Sequence, residues 1–358
     1  MVLHRLSGWL GCQNRNHVCP ICCIVPPHMM KEVIKNGNDE QRAWAFQTLT
    51  ASEQFRGRRE AIGTLNLATP AGTKRRTVYD ARNGNSLPGT IARNEGDPAG
   101  TDVAVNEAYD GAGATYDLYA DIFERNSIDD RGLRLDSTVH YGQKYDNAFW
   151  NGNQMVYGDG DGELFERFTK AIDVIGHELT HGVTQYEAGL IYYGEPGALN
   201  ESMSDVFGIL VKQRVLNQTA AESDWIIGSG LFTSGVNGVG IRSMKDPGTA
   251  YDDPVLGKDP QPAHYRDLYK GTSDNAGVHI NSGIPNRAFY LTAVELGGYA
   301  WEKAGRIWYI ALRDRLRSRA NFKRAANTLL EVAAELYGAN SPEQQAVRKA
   351  WTAVGVLK

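Results

Sequence analysis

Beyond its first 23 residues the chain has no cysteine: Cys12, Cys19, Cys22 and Cys23 are the full set. The main body therefore folds without a disulfide. Cys19 and Cys22 form a C-x-x-C that fits either a small metal or redox site or reduced thiols in a loose extension. No apolar run reaches the roughly 18 residues needed to span a bilayer, which excludes a helical membrane protein. Positive charge is not in excess, with 38 Lys and Arg against 42 Asp and Glu and a net charge of −4, which argues against nucleic acid as a partner. The opening residues lack the unbroken apolar core and small-residue cleavage site of an export signal, because His4 and Arg5 interrupt them. Synthesis in the cytoplasm is expected, with release from the cell, if any, by a non-classical route. There is no internal repeat and no low-complexity tract. What remains is an ordinary globular composition, 42% hydrophobic over 358 residues, with room for a large core.

Histidine is scarce too, yet two of the eight fall four residues apart in H-E-x-x-H, at His177, Glu178 and His181. The stretch 171–187 has helical character, with Val174, Ile175, Leu179 and Val183 giving it an apolar side. On a helix, His177 and His181 share a face and can aim both imidazoles at one metal ion. Glu178 sits about 100° further round, so it can reach a water beside the metal without binding the metal. Two imidazoles and one carboxylate leave a fourth position open on zinc, the arrangement of a hydrolase. The third ligand is expected from Glu201, 20 residues past His181, in the run GALNESMSD over residues 197–205. A Gly- and Pro-containing loop lets the next helix return alongside the first. Glu201 and Asp205, at i and i+4, then face the motif helix together. Asp205 can fix the tautomer of a ligand histidine through its free ring nitrogen.

The pattern divides the chain into an N-terminal segment, a β-rich part and an α-rich part. Residues 1–25 read as an irregular extension and Pro26-Pro27 as an extended turn. Helical patterns follow at 29–36 and 39–49, and the polar stretch 52–59 reads as an exposed, cleavable boundary. From 65 to 156, short strands such as 76–79 and 139–141 alternate with Gly, Asn, Asp and Pro. A helix over 103–123 contains Gly111 and Gly113, which predict a bend or break. After 162, helices are expected over the motif, over 201–215, and at 282–296, 301–316, 321–337 and 342–353, with a loop region at 218–281. The expected units are a propeptide at 1–50, a β-rich catalytic lobe including the motif helix at 51–185, and a helical catalytic lobe at 186–358. The fold class is α+β, with the metal in the cleft between the lobes.

Taken together, HELTH, GALNESMSD, SMKDP, DNAGVHINSG and YDNAFWNGNQMVYGDGDG, from about residue 63 onward, resemble the thermolysin family of zinc metalloendopeptidases. The front is similar to its protealysin-like branch, whose short propeptide carries a Pro-Pro motif, here Pro26, Pro27, His28 and Met29. The resemblance implies one catalytic zinc on His177, His181 and Glu201, with Asn200 and Asp205 behind the ligands. It implies Glu178 as the general base. His279 and Tyr192 would stabilise the oxyanion and Asp274 would orient His279. It implies that Asn147 and Ala148 pair with the substrate backbone as an added strand, and that Arg242 grips the carbonyl after the cut. Phe165, Phe168, Val174, Leu231 and Ile241 would line an apolar pocket, giving cleavage on the amino side of bulky hydrophobic residues.

One departure from the family matters. Secreted members hold calcium with clustered carboxylates. Here Asp173 and Asp224 remain, but Lys212, Ile226, Ser229 and Val239 stand where oxygen ligands are wanted. An ammonium among those ligands opposes Ca²⁺, so the paired calcium site is expected to be lost. The N-terminal segment is expected to act as an intramolecular inhibitor, with Pro26 to Met30 in the cleft and a maturation cut near 49–52. A monomer acting on peptides or proteins is expected. The rivals are an aminopeptidase on the same zinc helix and a catalytically silent zinc-bearing binding module.

Overall fold

The chain is described here by a computed structural model that covers residues 22–58 and 73–358, without the side chains of Cys22 and 53–58. Cys12 and Cys19 lie outside the described residues. A two-residue strand, β1 (Cys22–Cys23), opens the described chain and is followed by α1 (Pro27–Asn36) and α2 (Asp39–Arg58). Strands β2 (Arg76–Asp80) and β3 (Thr90–Asn94), helix α3 (Val103–Phe123), and strands β4 (Leu135–Val139), β5 (Ala148–Trp150) and β6 (Gln154–Tyr157) come next. The six strands form one sheet in the order β1-β5-β6-β4-β2-β3. β4 runs parallel to both β2 and β6, and the other pairings are antiparallel. The N-terminal segment thus adds a strand to the edge of the sheet.

Helix α3 is unbroken. Asp102 caps it by accepting from the backbone of Ala104 and Val105. Gly111 and Gly113 serve packing rather than bending. A Cβ at Gly111 would lie 2.3 Å from Ile175 Cδ1, and one at Gly113 would lie 2.3 Å from Arg76 Nη1. The second expected strand ends early, at Val139, because His140 turns to a φ of 54°. Helix α2 runs on through the polar stretch to Arg58, and Ser52 is buried against Tyr145.

The motif stretch forms α4 (Ile172–Tyr186), buried from Asp173 to Thr184. It is followed by α5 (Gly194–Leu216), which starts a full turn or more before the expected 201, with Pro196 in its first turn. The two helices cross at glycines. A Cβ at Gly208 would sit 2.4 Å from the Asp173 carbonyl oxygen, and one at Gly176 would sit 3.0 Å from Gly208 Cα. That near contact of backbones brings the side chains of α5 within reach of the histidines on α4.

Short strands β7 (Ile226–Ile227) and β8 (Arg242–Ser243) pair antiparallel beyond α5, and β9 (Asp252–Asp253) pairs with β10 (Gly257–Lys258). The segment α6 (Ser273–Asn281), left-handed at 274–277 and helical only after it, lies inside the stretch expected to be loop. The helical half is completed by α7 (Gly283–Leu296), α8 (Ala304–Ile310), α9 (Phe322–Tyr337) and α10 (Pro342–Ala353). Ser341 caps α10 by accepting from Gln344 N at 3.2 Å, with Pro342 in the first helical position. Among the described residues no helix is long and apolar enough to cross a membrane.

Candidate metal centre and cleft

His177 and His181 lie fully buried on one face of α4, their Nε2 atoms 3.0 Å apart. Both Nδ1 atoms are engaged elsewhere. His177 Nδ1 meets Asp205 Oδ1 at 2.8 Å, and His181 Nδ1 meets Asn200 Oδ1 at 2.9 Å and Ser204 Oγ at 3.0 Å. Protons held on Nδ1 by these oxygens leave two Nε2 lone pairs facing each other. Glu201 closes the triangle, with Oε2 3.5 Å from His177 Nε2 and Oε1 3.4 Å from His181 Nε2. Its Oε2 is buried without a hydrogen-bond partner. Two opposed lone pairs and an orphaned carboxylate oxygen are the donor set of a cation. Ligands about 2.0–2.1 Å from a tetrahedral zinc stand roughly 3.3 Å apart, which matches these separations. The three residues are the one metal-binding cluster found among the described residues.

Asp205 organises the outer layer. It accepts from His177, from Arg242 Nε and Nη2 at 2.8 Å each, and from Asn286 Nδ2 at 2.8 Å. Burial alone would raise its pKa. Arg242 and His177 outweigh burial and hold it far below the usual carboxylate range. Asn286 and Ser204 escaped the reading from sequence. Ser204, three residues after Glu201 on the same helix, was within reach of the periodicity argument, whereas Asn286 is a purely spatial neighbour.

Glu178 points into the cleft. Its Oε2 accepts from Trp150 N at 3.0 Å and its Oε1 is held by no hydrogen bond. Burial, then the charge of Glu201, push its pKa well up. Across the cleft, His279 Nε2 lies 3.0 Å from Tyr192 OH, and Tyr192 also donates to Glu201 Oε1. Asp274 binds His279 twice, at Nδ1 (2.6 Å) and at the backbone N–H (2.9 Å). Burial disfavours the imidazolium, yet Asp274 and Glu201 together raise the His279 pKa.

The pairing depends on an unusual backbone. Asp274, Asn275, Ala276 and Gly277 have φ of 54°, 49°, 63° and 78°, a left-handed turn that costs about 1–2 kcal/mol for each non-glycine residue. The Tyr269 ring against Gly277 and two bonds between Tyr269 and the Asn281 side chain, 2.8 and 3.0 Å, hold it in place. Only one glycine marks this turn in the sequence, so it was not legible there.

Phe165, Phe168, Val174, Leu231 and Ile241 are all essentially inaccessible. Phe165 stacks on Phe168 at 5.8 Å. Leu231 and Ile241 border Gly228, whose N–H donates to Asp173 beside Val174. These residues gather at one turn beside the start of α4.

Pro26 to Met30 is the segment expected in the cleft, and Pro27 and His28 do line a cavity there with Asp274. The hydrogen bonds to the groups expected to hold a substrate come from the residues just before it, Cys23, Ile24 and Val25. Ile24 N donates to the Ala148 carbonyl at 3.3 Å, Val25 N donates to Asn147 Oδ1 at 3.0 Å, and Arg242 Nη1 donates to the Ile24 carbonyl at 3.1 Å. Pro27 begins α1, in the first helical position its fixed φ suits, and Met29 and Met30 bury in the hydrophobic core. His28 is half-buried, with Nε2 3.2 Å from Tyr251 OH and a buried Nδ1 without a partner.

Comparison with known proteins agrees with this geometry. Residues 52–185 match the family model for the thermolysin metallopeptidase catalytic domain, and residues 188–356 match that for its alpha-helical domain. An extracellular metalloprotease of Pectobacterium carotovorum is 52% identical over 338 residues, 94% of this chain and 97% of its own. Thermolysin of Alicyclobacillus acidocaldarius is 45% identical over 289 residues, 78% of this chain and 50% of its own. The solved precursor of protealysin, a metalloproteinase from Serratia proteamaculans, superposes with a TM-score of 0.87 at 53% identity, over 94% of this chain and 99% of that one.

Proposed function

The chain belongs to the thermolysin family of metallopeptidases, protealysin-like branch, and from that premise we propose how its cleft binds and cuts a peptide. It is a zinc-dependent neutral metalloendopeptidase made as a zymogen. The observation that carries the reading is the buried triangle of His177, His181 and Glu201 with its unpartnered oxygen. Zinc bound there supplies a Lewis acid for the substrate carbonyl and acidifies the attacking water.

The protein groups do the rest. Glu178 takes a proton from the water and passes it to the departing amide nitrogen. His279 donates to the oxygen that gains charge, Tyr192 adds a second donor when its hydroxyl turns from Glu201, and Asp274 keeps His279 oriented and cationic. Asn147 and the Ala148 carbonyl hold the substrate main chain, and Arg242 holds the carbonyl after the cut. The pocket of Phe165, Phe168, Val174, Leu231 and Ile241 favours a bulky apolar residue on the carboxyl side of the broken bond. A blocked peptide with an internal Phe or Leu should be cut before that residue. A zinc chelator should abolish the cut and added zinc should restore it. A need for a free amine would point to an aminopeptidase, and no cleavage of any peptide would point to a silent binding module.

Calcium belongs to the same proposal. Lys212 Nζ donates to both Asp224 oxygens at 2.9 Å and to the Ile226 carbonyl at 3.0 Å, with Asp173 at 3.8 Å. An ammonium thus fills the space a paired calcium site would need. In the same metal series, millimolar Ca²⁺ should leave the melting temperature essentially unchanged. A large rise would contradict the loss of the site. Release from the cell is supported only by the name of the Pectobacterium relative.

The N-terminal segment is proposed to hold the cleft closed, and His28 makes that closure sensitive to pH. Burial first, then the positive charges of His279, Arg242 and Lys31, lower its pKa from 6.5 to about 4, against an opposing pull from Asp274. Tyr251 faces it as well, and Glu32 and Lys258 line the same pocket. A group with a depressed docked value binds its proton more readily undocked. Docking is therefore at full strength above about pH 6.5 and weakens as pH falls toward 4, by up to about a hundredfold. Hydrogen exchange over residues 22–36, corrected for its intrinsic pH dependence, should show more opening at pH 5 than at pH 7. His28→Asn should flatten the difference. An equal slope in both proteins would remove His28 from the account.

A further inference from the structure

We propose that the precursor presents its own Cys23–Ile24 peptide bond to the cleft as a substrate and cuts it, separating residues 1–23 from the rest. The inference rests on the peptidase reading above and names a bond for that site. The segment is not merely lodged in the cleft. It is bound in register with His279, Glu178, Ala148, Asn147 and Arg242.

The Cys23 carbonyl oxygen accepts from His279 Nε2 at 3.1 Å, the donor assigned to the oxygen that gains charge. The next nitrogen, Ile24 N, bonds the Ala148 carbonyl at 3.3 Å and faces the Glu178 carboxylate, the group assigned to return a proton to the leaving nitrogen. The Ile24 carbonyl lies on Arg242 at 3.1 Å, and Val25 is bound through both main-chain groups to Asn147, at 3.0 and 3.4 Å. Upstream, Cys22 and Cys23 pair antiparallel with Trp150 and Phe149. Ile24, a bulky apolar residue with no exposed surface, follows the bond as the pocket requires.

Alternation makes the register unambiguous. A slip of one residue would send each side chain to the opposite face and bring the wrong carbonyl to His279. Pro26 and Pro27 limit slippage from the other side, since α1 begins at Pro27 and its buried Met29, Met30 and Val33 anchor the segment.

The reaction is hydrolysis and needs no further reactant. A water oxygen bonds the Cys23 carbonyl carbon and the bond to Ile24 N breaks. One water proton reaches that nitrogen through Glu178, and the other is taken up by the new amine or released to solvent. Cys23 ends as a carboxylate and Ile24 as a new amino terminus. All four cysteines leave with residues 1–23. The cut does not by itself free the cleft, because α1 and α2 stay packed on the enzyme, with Ser52 bonded to Tyr145 and Glu40 to Lys144. It is therefore a separate event from a later cut near residues 49–52.

The test is intact mass and N-terminal sequencing of the full-length zinc-loaded precursor, with hydrolysis of a blocked peptide measured on the same sample. A species beginning at Ile24 should form at a rate independent of protein concentration, as an intramolecular cut requires. In Glu178→Gln it should form slower by about 10²–10⁴-fold. A second readout needs no turnover. In the uncut Glu178→Gln precursor, the Ile24 and Val25 amides should be protected from hydrogen exchange. Adding Ile24→Asp should abolish that protection while α4 stays protected. Blocked-peptide cleavage without any Ile24 terminus would overturn this inference and leave the peptidase reading intact. Free exchange at both amides would overturn it as well. Absence of all peptide cleavage would remove both.

Discussion

Replacing Glu178 by Gln is expected to lower peptide hydrolysis by about 10²–10⁴-fold while leaving the fold and the zinc content unchanged. Gln has the shape of Glu, and its carbonyl oxygen can still accept from Trp150 N, the one hydrogen bond that positions the present side chain at 3.0 Å. What is lost is the proton acceptor that the proposed mechanism assigns to this position. The carboxylate is buried beside the Ile24 N–H, and burial and the nearby Glu201 push its pKa upward. A carboxylate whose pKa is raised is a better base for water than an unshifted one, and an amide has no such capacity. The loss should appear in kcat more than in KM, because Glu178 acts on the reacting atoms and contributes little to holding the ground-state peptide. A variant with a raised KM and near-normal kcat would move Glu178 out of the reaction.

The second large effect is expected at Asp205. Asp205→Ala should destabilise the protein by about 3–5 kcal/mol, read as a fall in the denaturant midpoint. The cost comes from what remains. Arg242 is 1% exposed and its Nε and Nη2 would lose their acceptor, leaving a cation buried without its counter-charge. His177 would also lose the oxygen at Nδ1 that fixes its tautomer, so zinc affinity should fall about 10–100-fold. Asp205→Asn, which keeps the shape but not the charge, should lie between the two. The pH dependence has a definite sign. The folded pKa is depressed by Arg242 and His177 despite burial, so the contribution is complete above about pH 4 and is lost only as pH falls toward the folded value. A variant as stable as the parent would show that Arg242 finds another partner.

The metal site was legible in the sequence because helical periodicity is local. His177, Glu178 and His181 needed only a four-residue repeat, and Glu201 with Asp205 needed only the same repeat on the next helix. The long helices of the C-terminal half were legible for the same reason, and their ends because Ser341, Pro342 and Gly338 punctuate them. What depended on distant contacts was not. Gly111 and Gly113 carry no local sign of whether they bend a helix or admit Ile175 and Arg76. The left-handed turn at 274–277 is imposed by Tyr269 and Asn281. Pro26-Pro27 gave no indication that the second proline would start a helix, or that Cys23, Ile24 and Val25 before it would bond to His279, Ala148, Arg242 and Asn147.

The central claim is one zinc held by Nε2 of His177, Nε2 of His181 and a carboxylate oxygen of Glu201. Anomalous diffraction at the zinc edge, on crystals of the Glu178→Gln precursor, tests it most directly. The predicted result is one zinc per chain with all three ligand atoms about 2.0–2.2 Å away. Zinc elsewhere, for instance on the N-terminal cysteines, or no zinc within reach of Glu201, would contradict the account.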